Sequence, residues 1–280
     1  MPEPGRLVVC ATPIGNLGDV TRRVLDALRL ADTVAAEDTR VTRKLLARYD
    51  IGTRLERCDE HTVERQAPAL VERMQAGEVI ALVSDAGTPG VSDPGARLIA
   101  AAFDAGVPVE TLPGASALLA AVVASGLPMQ RIYFGGFLPR KAGERARGLE
   151  ALAALDATLV FFESPRRAGA TLTALAEAFP GRTAALAREL TKLHEEVVRG
   201  PIEQVAAEIG ARDNLKGEVV LLVGPPGPPG KAEVDSADVR ARVEGRIAEG
   251  ASRSTAVRQV ARDLGIPRGE VYEIAHQTAR

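Results

Sequence analysis

The residues whose types are best suited to binding or chemistry are concentrated in one stretch, residues 84–95. Its sequence is Ser-Asp-Ala-Gly-Thr-Pro-Gly-Val-Ser-Asp-Pro-Gly. A short apolar run, residues 79–83, precedes this stretch, and a helical pattern follows it from about Pro94. Open α/β sheets bind ligands at glycine-rich loops that follow buried strands, where backbone N–H groups can approach a polar molecule. The stretch therefore predicts a binding site for a small polar molecule, and a tight irregular turn is the alternative.

Three further strand ends carry polar or turn-forming residues. Residues 12–18 follow an apolar run at 7–11, and residues 113–117 follow a predicted strand at 107–112. Glu37-Asp38-Thr39-Arg40 follows a predicted strand at 33–36, where Asp38 or Thr39 can cap the next helix, serve a function, or do both. In a parallel sheet the carboxyl ends lie along one edge, so the glycine- and proline-rich turns are expected to converge on one crevice.

The elements needed to position these loops indicate an α/β protein. Five strands alternate with helices over residues 1–125, which predicts a parallel, doubly wound sheet. Residues 126–224 are expected to form a second α/β domain, with strands near 132–137, 158–163, 183–187 and 218–223. Residues 225–235 form a Pro/Gly linker, and residues 236–280 are expected to be a helical, helix-turn-helix-like tail.

Composition excludes several classes of protein. The chain has 280 residues, 46% of them hydrophobic, and a formal net charge of −2, which is typical of a globular protein. No apolar run is long enough to span a bilayer and no secretion signal is visible, so we expect a cytoplasmic protein without a membrane partner. Cys10 and Cys58 are too few for a disulfide framework or a zinc site, and no metal is expected. Neither GxGxxG nor GxxxxGK[ST] occurs, which disfavours a dinucleotide-dependent oxidoreductase and a phosphate-loop enzyme.

One segment is locally basic. Arg140, Lys141, Arg145 and Arg147 stand against a single acid, Glu144, on a predicted loop and helix start. These side chains could contact the phosphates of a nucleic acid, and a solvated helix surface is the alternative.

Taken together, eight motifs resemble the ribose-methylating branch of the tetrapyrrole methylase (class III methyltransferase) family. The motifs are spread in order along the chain, at residues 11–19, 36–40, 84–95, 112–117, 136–141, 162–167, 188–192 and 216–218. The resemblance implies two α/β domains with S-adenosylmethionine bound in the cleft between them, and a homodimer. It also implies methyl transfer to the 2′-oxygen of a cytidine in the decoding region of 16S rRNA, with the small ribosomal subunit as the partner.

The resemblance also implies a set of cofactor contacts, at Pro13, Ser84, Asp85, Ala86, Gly87, Thr88, Ser116, Ala117, Phe162, Ala187 and Gly217. Residues 91–95 are expected to start the following helix rather than to contact the cofactor. The family pattern supplies no firm catalytic base.

The catalytic hypotheses rest on polar residues grouped at strand ends. Methyl transfer from a sulfonium is an in-line displacement that depends mainly on alignment. A ribose hydroxyl is a poor nucleophile, so a base should help; Glu189 or Lys192 is the candidate, with Asp38 and Arg40 positioning the ribose or a neighbouring phosphate. The alternatives are a methylase of a small tetrapyrrole such as a precorrin, and a non-catalytic nucleic-acid-binding protein that works through its tail.

Overall fold

The computed structural model describes residues 5–227, 236–264 and 267–276. Residues 228–235 of the predicted linker at 225–235, the turn at 265–266 and the end of the tail at 277–280 lie outside the described residues. One compact unit ends at Pro226 and a second begins at Gly227.

The first sheet of the larger unit has five strands: β1 (Arg6–Cys10), β2 (Thr33–Ala36), β3 (Arg54–Arg57), β4 (Val79–Val83) and β5 (Val109–Leu112). Their order is β3-β2-β4-β1-β5, and every pairing is parallel. The intervening helices are α1 (Arg22–Leu30), α2 (Thr39–Arg48), α3 (Val63–Gln75) and α4 (Gly95–Asp104). The predicted parallel, doubly wound sheet is confirmed.

Both faces of this sheet are covered, which explains its near-continuous apolar strands. Leu7 and Leu82 pack with α3 and α4 on one face, whereas Val8 and Val83 pack with α1 and α2 on the other. The chain leaves β1 in one direction and β4 in the opposite direction along the sheet. The loops after these two neighbouring strands therefore flank the point where open α/β sheets bind ligands.

The second sheet contains β6 (Ile132–Phe137), β7 (Thr158–Glu163), β8 (Thr183–Arg188), β9 (Glu196–Pro201) and β10 (Val219–Val223), in the order β6-β7-β10-β8-β9. Only β6 and β7 pair in parallel. The strand β9 lies at the edge of this sheet, and the sequence analysis did not predict it.

Helices cover both faces of the second sheet. The face that includes Phe161 and Leu221 packs against α6 (Ala142–Glu150), α7 (Ala168–Ala178) and α8 (Ile202–Gly210). The other face packs against α5 (Ala117–Ser125), whose Ala121 and Val122 contact the cluster that includes Ala187. The helix α5 follows the last strand of the first sheet but is buried on the second, so it joins the two.

The smaller unit is helical. It contains α9 (Ser236–Ala248), α10 (Arg253–Leu264) and α11 (Arg268–His276), which pack around valines 239, 243, 257, 260 and 271. Within the described parts of the chain, no helix combines the length and apolar character needed to cross a membrane.

Candidate active site

A cavity of about 380 Å³ lies where loops of the first sheet meet the second sheet. Its volume falls within the range of about 300–1,000 Å³ that is common for small-molecule sites. The lining residues are Ile14, Glu37, Ser84, Asp85, Ala86, Gly87, Thr88, Val91, Ser92, Asp93, Ser116, Ala117, Phe137, Phe162, Glu163, Ser164, Pro165, Ala187, Leu190, Gly217, Glu218, Val219 and Val220.

The loops that follow β1, β4 and β5 meet at this cavity, as the parallel sheet predicts. Thr12 and Gly87 exchange two backbone hydrogen bonds of 2.8 and 3.0 Å, and the Thr12 hydroxyl donates to the Ser84 carbonyl over 3.1 Å. Gly87 has a φ of +78°, and a Cβ there would lie 3.7 Å from the Ala115 carbonyl oxygen. The added atom would fit, so glycine is favoured here by the positive φ rather than by lack of space.

Both halves of the stretch at residues 84–95 face the cavity. Residues 91–95, which were expected to start the following helix rather than to contact the cofactor, precede and begin α4, and Val91, Ser92 and Asp93 also line the cavity. The Asp93 carboxylate accepts the backbone N–H groups of Gly90 (2.9 Å) and Gly95 (2.7 Å), which folds the loop back onto itself. The loop thus presents its second half beside its first.

Nearly all of the positions expected to contact a cofactor lie on this cavity. The loop after β4 supplies residues 84–88, and the start of α5 supplies Ser116 and Ala117. Phe162, Ala187 and Gly217 come from the second sheet and its loops. Pro13 is the exception. It is buried and lines a neighbouring cleft of about 300 Å³, which shares Ser84, Asp85 and Ala86 with the cavity.

Acidic side chains dominate the charge of the cavity. The carboxyl groups are those of Glu37, Asp85, Asp93, Glu163 and Glu218, and none of the described lining residues is Lys, Arg or His. Such a lining suits a cationic ligand and disfavours a polyphosphate. Burial, and to a smaller extent neighbouring carboxylates, raises the pKa values of Glu37 and Asp85.

Glu37 is one of the cavity residues that the sequence analysis did not predict. It is half-buried on the cavity, and its Oε2 accepts the backbone N–H of Asp85 over 3.4 Å. The Oδ1 of Asp85 in turn accepts the backbone N–H of Asp38 over 2.9 Å. The sequence signal for Glu37 is its position directly after β2, in the same motif as Asp38 and Arg40.

Asp38 caps a helix, as one of its two interpretations predicted. Its Oδ1 accepts the Arg40 backbone N–H over 2.8 Å at the start of α2, and its Oδ2 lies 2.6 Å from Arg40 Nη2. These hydrogen bonds hold the pKa of Asp38 down at about 2. Neither Asp38 nor Arg40 lines the cavity, and the Arg40 side chain is 83% exposed.

Glu189 and Lys192 form an ion-pair group beside the cavity. Lys192 Nζ lies 2.9 Å from Glu189 Oε1 and 3.2 Å from Glu218 Oε2, and the Glu218 backbone N–H donates to Glu189 Oε1 over 3.0 Å. The hydrogen bond from Lys192 lowers the pKa of Glu189. Burial opposes protonation of Lys192, but the two glutamates outweigh it and raise the Lys192 pKa.

Two observations therefore count against a base role for this pair. The directions of both pKa shifts leave each group a poor acceptor of a proton at neutral pH. Lys192 also lines the neighbouring cleft rather than the cavity, and a Cβ at Gly15 would lie 2.6 Å from its side chain. The pair connects the loop after β1 to the end of β8 and the start of β10 in the second sheet.

The basic segment lies beyond the rim of the cavity. Lys141 pairs with Glu144 over 3.1 Å, and the guanidinium of Arg145 donates to the carbonyls of residues 139 and 140 over 3.4 Å. Arg140 and Arg147 are exposed. The segment is tied to the site by Phe137, which lines the cavity, and by Arg167, whose Nη2 donates to the Leu138 carbonyl over 3.1 Å.

Two α/β layers joined at an acid-lined cavity define a small-molecule-binding protein of the α/β class. The model of the family described as Tetrapyrrole (Corrin/Porphyrin) Methylases matches residues 6–206. The chain belongs to this methylase family.

Similar proteins extend this assignment. The chain is 49% identical to "Ribosomal RNA small subunit methyltransferase I" of Mesorhizobium japonicum, over 80% of this chain and 76% of that protein. It is 42% identical to the protein of the same name from Halalkalibacterium halodurans, over 98% and 96% of the two chains. A solved structure of a uroporphyrin-III C-methyltransferase from Thermus thermophilus, complexed with S-adenyl homocysteine, shares the fold with a TM-score of 0.56 and 21% identity, covering 79% of this chain and 97% of that one.

Proposed function

We propose that the protein transfers a methyl group from S-adenosylmethionine to the 2′-oxygen of a cytidine in the decoding region of small-subunit ribosomal RNA. The observation that carries the proposal is the similarity, at 42–49% identity, to two proteins named as ribosomal RNA small subunit methyltransferases. The acid-lined cavity supports the choice of methyl donor.

The carboxylates and apolar side chains that line the cavity suit S-adenosylmethionine. The molecule carries a positively charged sulfonium and an ammonium group, for which Glu37, Asp85 and Asp93 supply negative charge. Its apolar parts would be met by Ile14, Ala117, Phe162, Ala187, Leu190 and Val220, which line the same cavity. Residues 84–88, 116, 117, 162, 187 and 217 would hold the cofactor, whereas Pro13 lines the neighbouring cleft.

The bound donor supplies an activated methyl group to an in-line displacement, so the protein must mainly align the attacking oxygen with it. Rigidity of the loop supports this alignment. The Asp93 carboxylate, the Thr12–Gly87 hydrogen bonds and the Asp38–Asp85 hydrogen bond each fix a different part of residues 84–95. We assign to Asp38 and Arg40 the role of positioning the loop at residues 84–95. They do so through the start of α2 and through the hydrogen bond from the Asp38 backbone to Asp85.

Glu37 is the base that the geometry favours. Its carboxylate lies on the cavity, and burial raises its pKa, which makes it a better proton acceptor than an ordinary glutamate. Glu189 and Lys192 are better placed to hold the loop after β1 and the Gly217 turn in position. In this scheme the ribose hydroxyl passes its proton to Glu37 as the new C–O bond forms and the C–S bond breaks.

A small tetrapyrrole is the second candidate acceptor, because the matching family model is named for tetrapyrrole methylases. The names of the more similar relatives favour RNA. The basic residues Arg140, Lys141, Arg145 and Arg147 also favour RNA, because they could contact its phosphates.

The proposal includes a homodimer that works in the cytoplasm. Exposed apolar side chains support an interface, among them Leu119 and Val123 on α5, which are 58% and 66% exposed. Sedimentation analysis of the purified chain tests the dimer separately from the activity.

The acceptor is tested by incubating the protein with S-adenosylmethionine labelled in its methyl group. Purified small ribosomal subunits, free 16S rRNA and uroporphyrinogen are offered in separate reactions. The proposal expects label in RNA, in the subunit or free form, and none in the tetrapyrrole. Label in the tetrapyrrole alone would overturn the proposed substrate but would leave the methyl donor standing.

A further inference from the structure

A second concave surface, here called the basic groove, lies next to the cavity. It has a volume of about 660 Å³ and lies between the start of α7, the end of α8 and the loop that follows α8. Its lining residues are Pro165, Arg166, Gly169, Ala170, Thr173, Ile209, Gly210, Arg212, Asn214, Leu215 and Lys216. Three of these are cations, and no carboxylate occurs among the described lining residues.

The three cations differ in their surroundings. Arg212 is neutralised within the fold, since its guanidinium lies 2.8 Å from Glu196 Oε1 and 2.6 Å from Glu208 Oε1. Arg166 and Lys216 are exposed, and their side chains form no hydrogen bond or ion pair with any residue that the structure describes. Two positive charges on the groove are therefore available to a ligand and have no evident role in the fold.

Glycines form part of the groove's surface. Helices α7 and α8 approach closely at Gly169, where a Cβ would lie 3.2 Å from the Cα of Gly210. Thr173 and Asn214 add polar side chains along the same surface. An open, polar surface with backbone at its base and cations along it suits an extended anionic chain better than a compact apolar molecule.

The position of the groove connects it to the cavity. Pro165 lines both, Ser164 lines the cavity and Arg166 lines the groove. Gly217 likewise lines the cavity and Lys216 lines the groove. Each free cation therefore lies one residue along the chain from a residue that lines the cavity.

The basic segment at residues 140–147 approaches the same place from the strand β6. Arg167 is tied to it through the Leu138 carbonyl, so residues 164–167 lie between that segment and the groove. An RNA strand whose target nucleotide enters the cavity would then find cations on both sides, in the basic segment and in the basic groove.

We propose that the basic groove binds backbone phosphates of the RNA strand on one side of the nucleotide that enters the cavity, through Arg166 and Lys216. The inference rests on the proposed function, because it takes RNA as the substrate. Phosphate contacts position a nucleic acid without reading its sequence, so the groove contributes affinity and orientation rather than choice of base.

The test compares the wild-type chain with the double variant Arg166→Ala/Lys216→Ala. Affinity for small-subunit RNA is measured over a range of salt concentrations, together with affinity for S-adenosylmethionine and kcat at saturating RNA. Two lost phosphate contacts should weaken RNA binding and reduce the slope of log K against log salt by roughly 1.5–2. The affinity for S-adenosylmethionine and kcat should stay unchanged.

Two controls sharpen the test. Arg29→Ala/Arg65→Ala removes the same charge from helices of the first sheet and should leave RNA binding nearly unchanged. Arg166→Lys/Lys216→Arg keeps both charges and should retain RNA affinity and most of the salt slope.

The outcomes separate the two proposals. If the wild type binds and methylates RNA but the double alanine variant keeps its full affinity and salt slope, the groove is not an RNA site. A different outcome is that inorganic phosphate binds the wild type and not the variant, while both bind RNA equally. The groove would then be a site for a small anion rather than for RNA, and that result also overturns the proposal. If the wild type binds S-adenosylmethionine but neither binds nor methylates RNA, the proposed function itself fails.

Discussion

The backbone N–H of Asp85 donates to the carboxylate of Glu37 over 3.4 Å, which connects the loop after β4 to the end of β2. Two strands that are neighbours in the parallel sheet thus place two carboxyl groups on one cavity. Burial raises the pKa of each, and the carboxylate of Asp85 adds to the increase at Glu37. This pairing is the basis for assigning the proton acceptor to Glu37.

Replacing Glu37 by Gln should slow the chemical step far more than it weakens cofactor binding. The amide keeps the shape of the side chain but cannot accept the proton, so kcat should fall by roughly 100- to 10,000-fold. Single-turnover kinetics and calorimetric titration with S-adenosylmethionine measure the two effects. Glu64→Gln, at an exposed ion pair with Arg97, is the matched control and should retain full activity. Retention of full kcat by Glu37→Gln would remove Glu37 as the base.

The pH dependence of kcat distinguishes Glu37 from Lys192 as the base. A glutamate base must be ionised, and its raised pKa moves the loss of activity on acidification to a higher pH than for an ordinary glutamate. Above the pKa of Glu37, activity should then be level into the alkaline range. A lysine base, whose pKa is raised above 10.5, would instead give a rate that keeps increasing into strongly alkaline solution. That alkaline increase in the wild type would contradict the assignment to Glu37.

Gly217 should not tolerate a side chain. Its φ is +90°, and a Cβ there would collide with the Glu189 carboxylate, which Lys192 and the Glu218 backbone hold in place. Gly217→Ala should therefore weaken S-adenosylmethionine binding and cost about 1–2 kcal/mol in backbone strain alone. Gly148→Ala within α6, where nothing lies within 4 Å of the added Cβ, should bind normally and be slightly more stable. Equal cofactor affinity in both variants would show that the Gly217 turn is not part of the site.

Asp38 should contribute to stability through its charge as well as its cap. Its folded pKa of about 2 lies below the unfolded value of about 3.9, so the contribution is present above that unfolded value and is lost as pH falls towards 2. Asp38→Asn keeps a good cap but has no charge to titrate. Its melting temperature should be below that of the wild type at pH 6, and the difference should shrink towards pH 2. A difference that stays constant with pH would show that the charge of Asp38 contributes nothing to folding.

The centre of the first sheet was predictable because β1, β2 and β4 are buried and consist mostly of apolar residues. The strand β9 was not, since Glu196–Pro201 lies at a sheet edge and includes a glutamate, an arginine, a glycine and a proline. Its register is set by pairing with β8, and such long-range pairing leaves little trace in the local pattern.

The cavity was only partly predictable, for a similar reason. Loops at strand ends could be brought together from the topology alone, and each of the turns at 12–18, 84–95 and 113–117 contributes residues to one cavity. The local sequence pattern does not determine the direction of individual side chains, so it could not show that Glu37 faces the cavity and that Asp38 does not. The basic groove had no local signal at all, because Arg166 and Lys216 are distant in sequence and are brought together only by the packing of α7 against α8.

The most direct test of the account is the chemical identity of the methylated nucleoside. Small-subunit RNA that has been treated with the protein and S-adenosylmethionine is digested to nucleosides and analysed by mass spectrometry. The account predicts 2′-O-methylcytidine at a single position in the decoding region, formed by the wild type and greatly reduced with Glu37→Gln. A methyl group on a base, or RNA that remains unmodified while the protein binds S-adenosylmethionine, would contradict it.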